Sequence, residues 1–344
     1  MELTTVWFIL IAVLWTGYLV LEGFDFGVGM LLAPLSRDDT ERRTLLATIG
    51  PVWDGNEVWL LVAGGATFAA FPEWYASMFS GFYLALLLVL VALILRAVAF
   101  EFRGKVDDPV WRARWDRCIA VGSWVPSLIW GVAFANLVQG VPMDAEHRFT
   151  GTLLTLLNPY ALLGGLALLT VFLAHGASFL ALRTLGQVRE RAARAGDVLT
   201  PVALLVAGSW AVLTQLLHGR TWTWAAVAVA AGALAGAVVA GRRRAEGRAF
   251  AATAVAIVAV VVLVFGSLFP DVMPASTDPA HGLTVTNASS GHYTLVVMTW
   301  VAAVLTPLVL LYQGWTYWVF RRRIGVHHVP ASTGLPAARA TSGR

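Results

Sequence analysis

The sequence predicts an all-α integral membrane protein with nine transmembrane helices, and three observations lead to this prediction. Hydrophobic residues make up 58% of the 344 residues, whereas charged residues make up only 13%, about half of the roughly 25% usual in soluble domains. The apolar residues fall into runs long enough to form helices of about 20 residues, the length that crosses a bilayer. Lysine and arginine are concentrated in alternate loops, as the positive-inside rule requires.

The spans follow from hydropathy along the chain. No lysine or arginine and no small-residue cleavage site accompany the first apolar run, so it is predicted to be a transmembrane helix and not a signal peptide. The predicted spans are 6–32, 45–70, 78–100, 118–140, 154–183, 200–217, 222–241, 249–269 and 293–319. Residues 1–323 are thus expected to form a single transmembrane domain. Residues 324–344 are expected to be a disordered cytoplasmic tail.

The distribution of positive charge predicts the orientation. Arginine and lysine are concentrated in segments 33–44, 101–117, 184–199, 242–248 and 321–323, whereas the intervening loops hold only Arg148 and Arg220. If all five rich segments are cytoplasmic, the amino terminus lies outside and the carboxyl terminus inside, and the number of helices is odd. The net charge of +4 is therefore a topology signal, and no nucleic-acid partner is expected.

Two pairs of small residues have the spacing that lets membrane helices approach closely. They are Gly23 with Gly27 in the first span and Gly232 with Gly236 in the seventh. In a chain with 32 glycines such matches are common, so the spacing alone predicts no contact.

Acidic residues inside the first two spans are the main functional signal. Glu22 with Asp25, and Asp54 with Glu57, have i, i+3 spacing, which places each pair on one helix face. Asp25 and Asp54 each lie about eight residues from the expected inner end, so both are predicted about 12 Å deep at about 1.5 Å per residue. Three further ionisable residues, Arg96, Glu101 and His175, are expected at similar depth as supporting groups.

Two interpretations of these acids remain open. Buried carboxyls can relay protons from the cytoplasmic side through water and neighbouring groups. Alternatively, Arg96 pairs with one carboxylate and Asn56 hydrogen-bonds another, so that the cluster serves only helix contacts. If the second helix begins at Pro51, Asp54 lies nearer the surface as an ordinary first-turn acid.

Metal and haem ligands are scarce in the predicted spans. Cys118 is the only cysteine and His175 the only clearly intramembrane histidine, so neither a metal site nor a bis-histidine haem is expected in this chain. Trp53 and Trp59 flank the second acidic pair, where they either line an apolar gas route or pack in the core.

Short motifs in a fixed order resemble subunit II of the cytochrome bd-type quinol oxidases. They include Gly23-Phe-Asp-Phe-Gly-Val-Gly29, Trp53-Asp-Gly-Asn-Glu-Val-Trp59, Ser80-Gly-Phe-Tyr83, Arg96, Phe100-Glu-Phe-Arg103, Gly131-Val-Ala-Phe-Ala-Asn136, Gln139-Gly-Val-Pro142, Asn158-Pro159, Phe269-Pro270, Met273-Pro274 and Met298-Thr-Trp300. Together they cover most of residues 1–183 and 265–320. Between about 185 and 260 the match is only generic hydrophobicity.

The resemblance implies a subunit of a prokaryotic plasma-membrane complex that oxidises quinol and reduces dioxygen to water in the respiratory chain. It implies that haem b, haem d and the quinol-oxidation loop are on a homologous subunit I, with small accessory subunits left open. It further implies two four-helix bundles plus one peripheral helix, proton delivery through Asp25 and Asp54, and an oxygen route beside Trp59. Glu57 stands where some relatives have glutamine.

The residues alone leave two other classes of protein open. A proton- or cation-coupled transporter also buries acids, but it is expected to place them near the midplane between inverted halves. A non-catalytic scaffold subunit needs no buried acids. The one-sided placement of the predicted cluster favours the oxidase subunit.

Overall fold

The structure is a computed structural model that describes residues 2–330 and 334–336. It is helical almost throughout. The helices are α1 (Leu3–Leu35), α2 (Asp39–Ile49), α3 (Trp53–Ala70), α4 (Pro72–Gly81), α5 (Tyr83–Phe102), α6 (Pro109–Gln139), α7 (Leu153–Leu156), α8 (Pro159–Arg183), α9 (Gly186–His218), α10 (Trp224–Arg242), α11 (Glu246–Leu268) and α12 (His292–Val319). Short strands β1 (Val106–Asp107) and β4 (Leu335–Pro336) pair in parallel, and β2 (Asp271–Met273) and β3 (Leu283–Thr284) pair antiparallel.

Within the described residues, eight helices are long and apolar enough to cross a membrane. They are α1, α5, α6, α8, α9, α10 with its preceding turn, α11 and α12. Helix α3 has 18 residues, including Asp54 and Glu57, and does not belong to this group. The predicted all-α, multi-pass membrane fold is therefore confirmed at this level.

The second predicted span is wrong as a single helix. The chain forms α2 and α3 in its place, with a break between Ile49 and Trp53. Pro51 lies in this break, and a proline has no backbone N–H with which to continue the helical ladder. The break sets where α3 begins and therefore where its acidic residues lie.

Further predicted boundaries are also wrong. The third span begins at Tyr83, after the separate helix α4, and the fifth begins at Pro159, after the short helix α7. The fourth begins at Pro109 instead of position 118, and the sixth begins at Gly186 instead of position 200. The arginine-rich segment 184–199 was expected to be a loop, but most of it is the first part of α9. The segment contains three alanines and three arginines, and both are strong helix formers.

The helices pack in two groups of four that share one interface. Helices α1, α3, α5 and α6 form one group, α8 to α11 form the other, and α1 and α6 both pack on α8. Glycines allow the closest approach. A Cβ atom added to Gly176 would lie 2.5 Å from the Cα of Gly27, and one added to Gly131 would lie 2.4 Å from the carbonyl oxygen of Gly164. The interface thus depends on the absence of side chains at these crossings.

The two glycine pairs with this spacing differ in the structure. A Cβ atom on Gly23 would lie 2.6 Å from the Phe172 ring, and one on Gly27 would lie 2.3 Å from the Phe172 carbonyl oxygen. Around Gly232 and Gly236, no described atom lies within 4 Å of such a Cβ atom. The first pair lies at a close helix contact, and the second pair does not.

Ion pairs join all five positively charged segments at one end of the helices. Arg42 pairs with Asp116 at 3.4 Å, Arg191 with Glu41 at 2.6 Å and Arg323 with Glu246 at 3.5 Å, and Arg189 also pairs with Glu246. These contacts place residues of segments 33–44, 101–117, 184–199, 242–248 and 321–323 side by side.

Glu41 makes this end of the protein sensitive to pH. Burial acts to raise the pKa of Glu41, but Arg191 and the backbone N–H of Arg37 outweigh this effect and hold its pKa below the ordinary value. The carboxylate therefore contributes stability above its ordinary titration range, and this contribution is lost as the pH falls through the lowered pKa.

Helix α12 lies at the periphery, and Leu295 is its only buried residue. Near its first turns, the indole N–H of Trp7 donates to Thr299 Oγ1 at 3.0 Å. Beyond α12, Ile324 forms a bridge with Thr184, and Val326–His328 form a single helical turn. Leu335–Pro336 form β4, whereas residues 331–333 and 337–344 of the predicted disordered tail lie outside the described residues.

We expect Gly176→Ala to destabilise the purified protein by about 1–3 kcal/mol, the usual cost of overpacking. The added Cβ atom would lie 2.5 Å from the Gly27 backbone, which belongs to another helix and has no side chain that can move aside. The measurement is the midpoint of thermal unfolding in detergent. Gly232→Ala is the matched control because its Cβ atom meets no described atom within 4 Å. Equal midpoints for the two variants would contradict the proposed crossing.

Candidate functional site

A fully buried ion pair forms the centre of the site. Arg96 on α5 pairs with Glu22 on α1, and both side chains are 0% exposed. The guanidinium group of Arg96 also lies over the rings of Phe26, at 4.8 Å, and Phe100, at 5.1 Å. Gly122 on α6 leaves room for this arginine, because a Cβ atom there would lie 2.5 Å from the Arg96 Cβ atom. The arginine thus lies where α1, α5 and α6 meet.

Asp25 lies one helical turn after Glu22 and has a different kind of partner. Its Oδ2 atom accepts a hydrogen bond of 2.6 Å from the side-chain amide of Asn56 on α3, and both residues are buried. The pairing of Arg96 with one carboxylate and of Asn56 with another is the arrangement that the structural interpretation of the acids requires.

The cluster nevertheless keeps unused hydrogen-bonding capacity. Four buried atoms have no hydrogen-bond partner among the described residues: Glu22 Oε2, Asp25 Oδ1, Arg96 Nε and Arg96 Nη2. Buried polar atoms without protein partners are rare, and they normally bind an ordered water or a proton or serve a functional role. A purely structural cluster would leave fewer of these atoms unsatisfied.

Helix α12 contributes two residues that the sequence analysis missed. The hydroxyl of Tyr317 donates to Asn56 Oδ1 at 2.7 Å, and the amide of Gln313 donates to the same oxygen at 3.2 Å. The indole N–H of Trp59 in turn donates to Gln313 Oε1 at 2.8 Å. The available signal was a glutamine four residues before a tyrosine in a mostly apolar helix, since this spacing places both on one face.

Asp54 and Glu57 are not part of the buried centre. Asp54 lies exposed in the first turn of α3, and Glu57 is half-buried one turn later. Asp25 and Asp54 are expected from the sequence at the same depth, but Asp25 is buried and Asp54 is exposed. The reason is that the break at Pro51 puts Asp54 at the start of a helix.

The other supporting residues lie apart from the carboxyl cluster. Glu101 is exposed in the last turn of α5. His175 is buried on α8, with Nε2 3.1 Å from the carbonyl oxygen of Val20 and Nδ1 2.7 Å from the hydroxyl of Thr253. Of the three supporting residues expected from the sequence, the structure brings only Arg96 into contact with an acid of the cluster.

His175 is also poorly placed to bind a haem iron. Both ring nitrogens already have hydrogen-bond partners, and the ring stacks on Phe250 at 4.5 Å and an angle of 5°. A haem ligand needs a free nitrogen that faces open space. The described residues contain no group of three or more His, Cys, Asp or Glu side chains suited to a metal ion.

Trp59 packs between helices and does not line the large cavity of the first helix group. A Cβ atom on Gly17 of α1 would lie 2.2 Å from its ring, so the indole occupies the space that this glycine leaves. A cavity of about 460 Å³ begins at the next residue of α3, Leu60. Its walls are almost entirely apolar and include Trp74, Tyr75 and Phe79.

Comparison with known proteins shows the family. The family model for cytochrome bd terminal oxidase subunit II matches residues 3–320. The chain is 43% identical over 328 residues to cytochrome bd ubiquinol oxidase subunit 2 of Bacillus subtilis, covering 94% of this chain and 97% of that protein. It is 38% identical over 366 residues to cytochrome bd-I ubiquinol oxidase subunit 2 of Escherichia coli K12, covering 95% and 97%.

The fold has a solved relative as well. It is similar to a chain from the structure of bd oxidase from Geobacillus thermodenitrificans, with a TM-score of 0.71, 16% identity, and coverage of 93% of this chain and 99% of that one. At this identity the structural similarity supports only the fold, whereas the sequence matches identify the family. The chain with the buried Glu22–Arg96–Asp25 cluster therefore belongs to the cytochrome bd terminal oxidase subunit II family.

Proposed function

We propose that this chain brings protons from the cytoplasm, and gives dioxygen access, to a haem-bearing partner subunit that oxidises quinol and reduces dioxygen to water. Membership in the family makes the chain a subunit of a prokaryotic membrane oxidoreductase complex. It therefore favours the oxidase subunit over the proton- or cation-coupled transporter. The observation that carries the proposal is the fully buried cluster of two carboxyls and one arginine, with four unpartnered polar atoms.

The proposed topology has nine membrane crossings, with α3 as the crossing additional to the eight long apolar helices. The amino terminus is outside and the carboxyl terminus is cytoplasmic. The ion pairs that join the five arginine-rich segments at one end support this orientation, because such segments stay on the cytoplasmic side. The two helix groups correspond to the two four-helix bundles that the family resemblance implies, and α12 corresponds to the peripheral helix.

The proposed proton route begins at Asp54 and leads inwards. Asp54 is exposed at the start of α3, Glu57 lies half-buried one turn further, and the fully buried Glu22 and Asp25 lie around Arg96. Reduction of dioxygen to water consumes protons, and carboxyls joined by water can carry them. One arginine balances only one of the two buried carboxylates, so the cluster has the capacity to hold a proton.

The haems and quinol belong to the proposed partner subunit I. The placement of His175, with both ring nitrogens bonded, does not suit this chain for haem. The residues that would face a partner lie on the apolar, exposed faces of α3, α5 and α12. The apolar cavity beyond Trp59 offers a region into which dioxygen can partition.

We expect Asp54→Asn to lower quinol-driven oxygen uptake by an order of magnitude or more, the scale of a lost proton-transfer group. The amide keeps the shape of the side chain but cannot titrate. Haem content and subunit composition of the purified complex should stay at wild-type levels. Glu190→Gln is the control, since Glu190 is an exposed acid on α9 in the other helix group.

Two outcomes would contradict this role of Asp54. Loss of assembly in Asp54→Asn would show that the carboxylate is a structural partner. Unchanged oxygen uptake with normal assembly would place the proton route elsewhere.

Glu57→Gln should retain turnover within a few-fold of wild type. Glu57 is only half-buried, and an amide can still hydrogen-bond a relay water. The measurement is oxygen uptake by the assembled complex at equal haem content. Near-complete loss of uptake would mean that the charge of Glu57 is required.

The isolated chain should bind no haem with stable axial ligation. Both ring nitrogens of the buried His175 form hydrogen bonds, one with Thr253 and one with Val20, so neither nitrogen is available to bind a haem iron. The check is a reduced-minus-oxidised visible spectrum of the chain expressed alone, with the co-expressed complex as the control. A bis-histidine haem signal from the isolated chain would overturn this expectation.

A further inference from the structure

A chain of hydrogen bonds connects the peripheral helix α12 to Asp25. It runs from Trp59 Nε1 to Gln313 Oε1 at 2.8 Å, from Gln313 Nε2 to Asn56 Oδ1 at 3.2 Å, and from Asn56 Nδ2 to Asp25 Oδ2 at 2.6 Å. The hydroxyl of Tyr317 reinforces the middle of the chain at Asn56 Oδ1. Four side chains from α1, α3 and α12, and the Tyr317 hydroxyl, thus form one connected network.

The chemistry of these groups gives the network a single direction. An indole N–H can only donate, so the Gln313 oxygen must face Trp59. The Gln313 amide nitrogen then faces Asn56, and because this nitrogen can only donate, the Asn56 oxygen must receive it. The Asn56 nitrogen is left to face Asp25. The orientation of both amides therefore follows from donor and acceptor types and does not depend on how amide atoms are assigned.

This direction distinguishes the two oxygens of Asp25. Oδ2 receives an N–H from Asn56, so a proton on Oδ2 would face another donor. Oδ1 is buried and has no partner among the described residues. A proton carried by Asp25 therefore belongs on Oδ1, in the same cluster as the unpartnered Oε2 of Glu22 and the two free nitrogens of Arg96.

We propose that Gln313 and Tyr317 are positioning residues that orient the Asn56 amide and thereby reserve Oδ1 of Asp25 for the transferred proton. The inference rests on the proposed proton route through Asp25. It also explains why the mostly exposed helix α12 makes partly buried polar contacts at this end. Its two polar side chains donate to Asn56, and Phe24 of α1 packs edge-on against the Tyr317 ring at 6.5 Å.

The test uses the complete oxidase complex and compares oxygen uptake at equal haem content. We expect Tyr317→Phe and Gln313→Leu each to lower uptake by roughly two- to tenfold, on the scale of one lost hydrogen bond. Gln313→Glu should lower it as well despite its matching shape, because a carboxylate accepts from Trp59 but cannot donate to Asn56. Tyr160→Phe is the matched control, since it removes a partly buried tyrosine hydroxyl that bonds Thr214 at 2.8 Å in the other helix group.

A double-mutant comparison separates positioning from simple packing. If Gln313 and Tyr317 act through Asp25, adding either substitution to Asp25→Asn should cause no further loss of uptake. The same fold-loss in both backgrounds would overturn the inference, because the effect would then bypass Asp25. Tyr317→Phe keeps the aromatic ring, so it decides the matter even if Gln313→Leu assembles poorly.

The failures of the two proposals are distinguishable. If Asp25→Asn lowers uptake while Tyr317→Phe, Gln313→Leu and Gln313→Glu match wild type, the positioning role fails and the proton route stands. If Asp25→Asn itself has wild-type uptake, the route through Asp25 fails, and the positioning role fails with it.

Discussion

The buried ion pair between Glu22 and Arg96 is the interaction on which the rest of the site depends. In a low-dielectric interior, an isolated charge costs several kcal/mol, so each of these groups is tolerated only because the other is present. The pair joins α1 to α5, and Gly122 lets α6 close around the arginine. The guanidinium group lies over the rings of Phe26 and Phe100, whose π faces attract and stabilise its charge.

The second carboxyl makes this ion pair more than a structural tie. Asp25 has an amide partner, Asn56, in place of a cation, so the cluster holds two acids and only one base. A balanced pair would have no use for an additional proton, whereas this arrangement has room for one. In the proposed route, the exposed Asp54 supplies the proton, and the half-buried Glu57 lies between the surface and the cluster.

Two kinds of contact stabilise different parts of the protein: close helix packing in the interior and polar contacts at the helix ends. Between the two helix groups, glycines such as Gly27 and Gly176 have no side chain, so the helix backbones come into direct contact there. This close backbone packing stabilises the interior of the protein. At the arginine-rich end, ion pairs such as Arg191 with Glu41 join the loops and helix ends. Helix α12 has neither kind of broad contact and is held mainly by polar side chains at its two ends.

The sequence by itself determined the membrane class, the long apolar helices and the residues able to carry protons, because hydropathy and charge are properties of short windows. It did not determine that Asp54 is exposed, since this depends on the helix break at Pro51. Nor did it determine that Arg96 selects Glu22 or that Gln313 and Tyr317 reach Asn56. Only the tertiary structure decided these pairings, because they join segments far apart in the chain whose distances are set by helix packing.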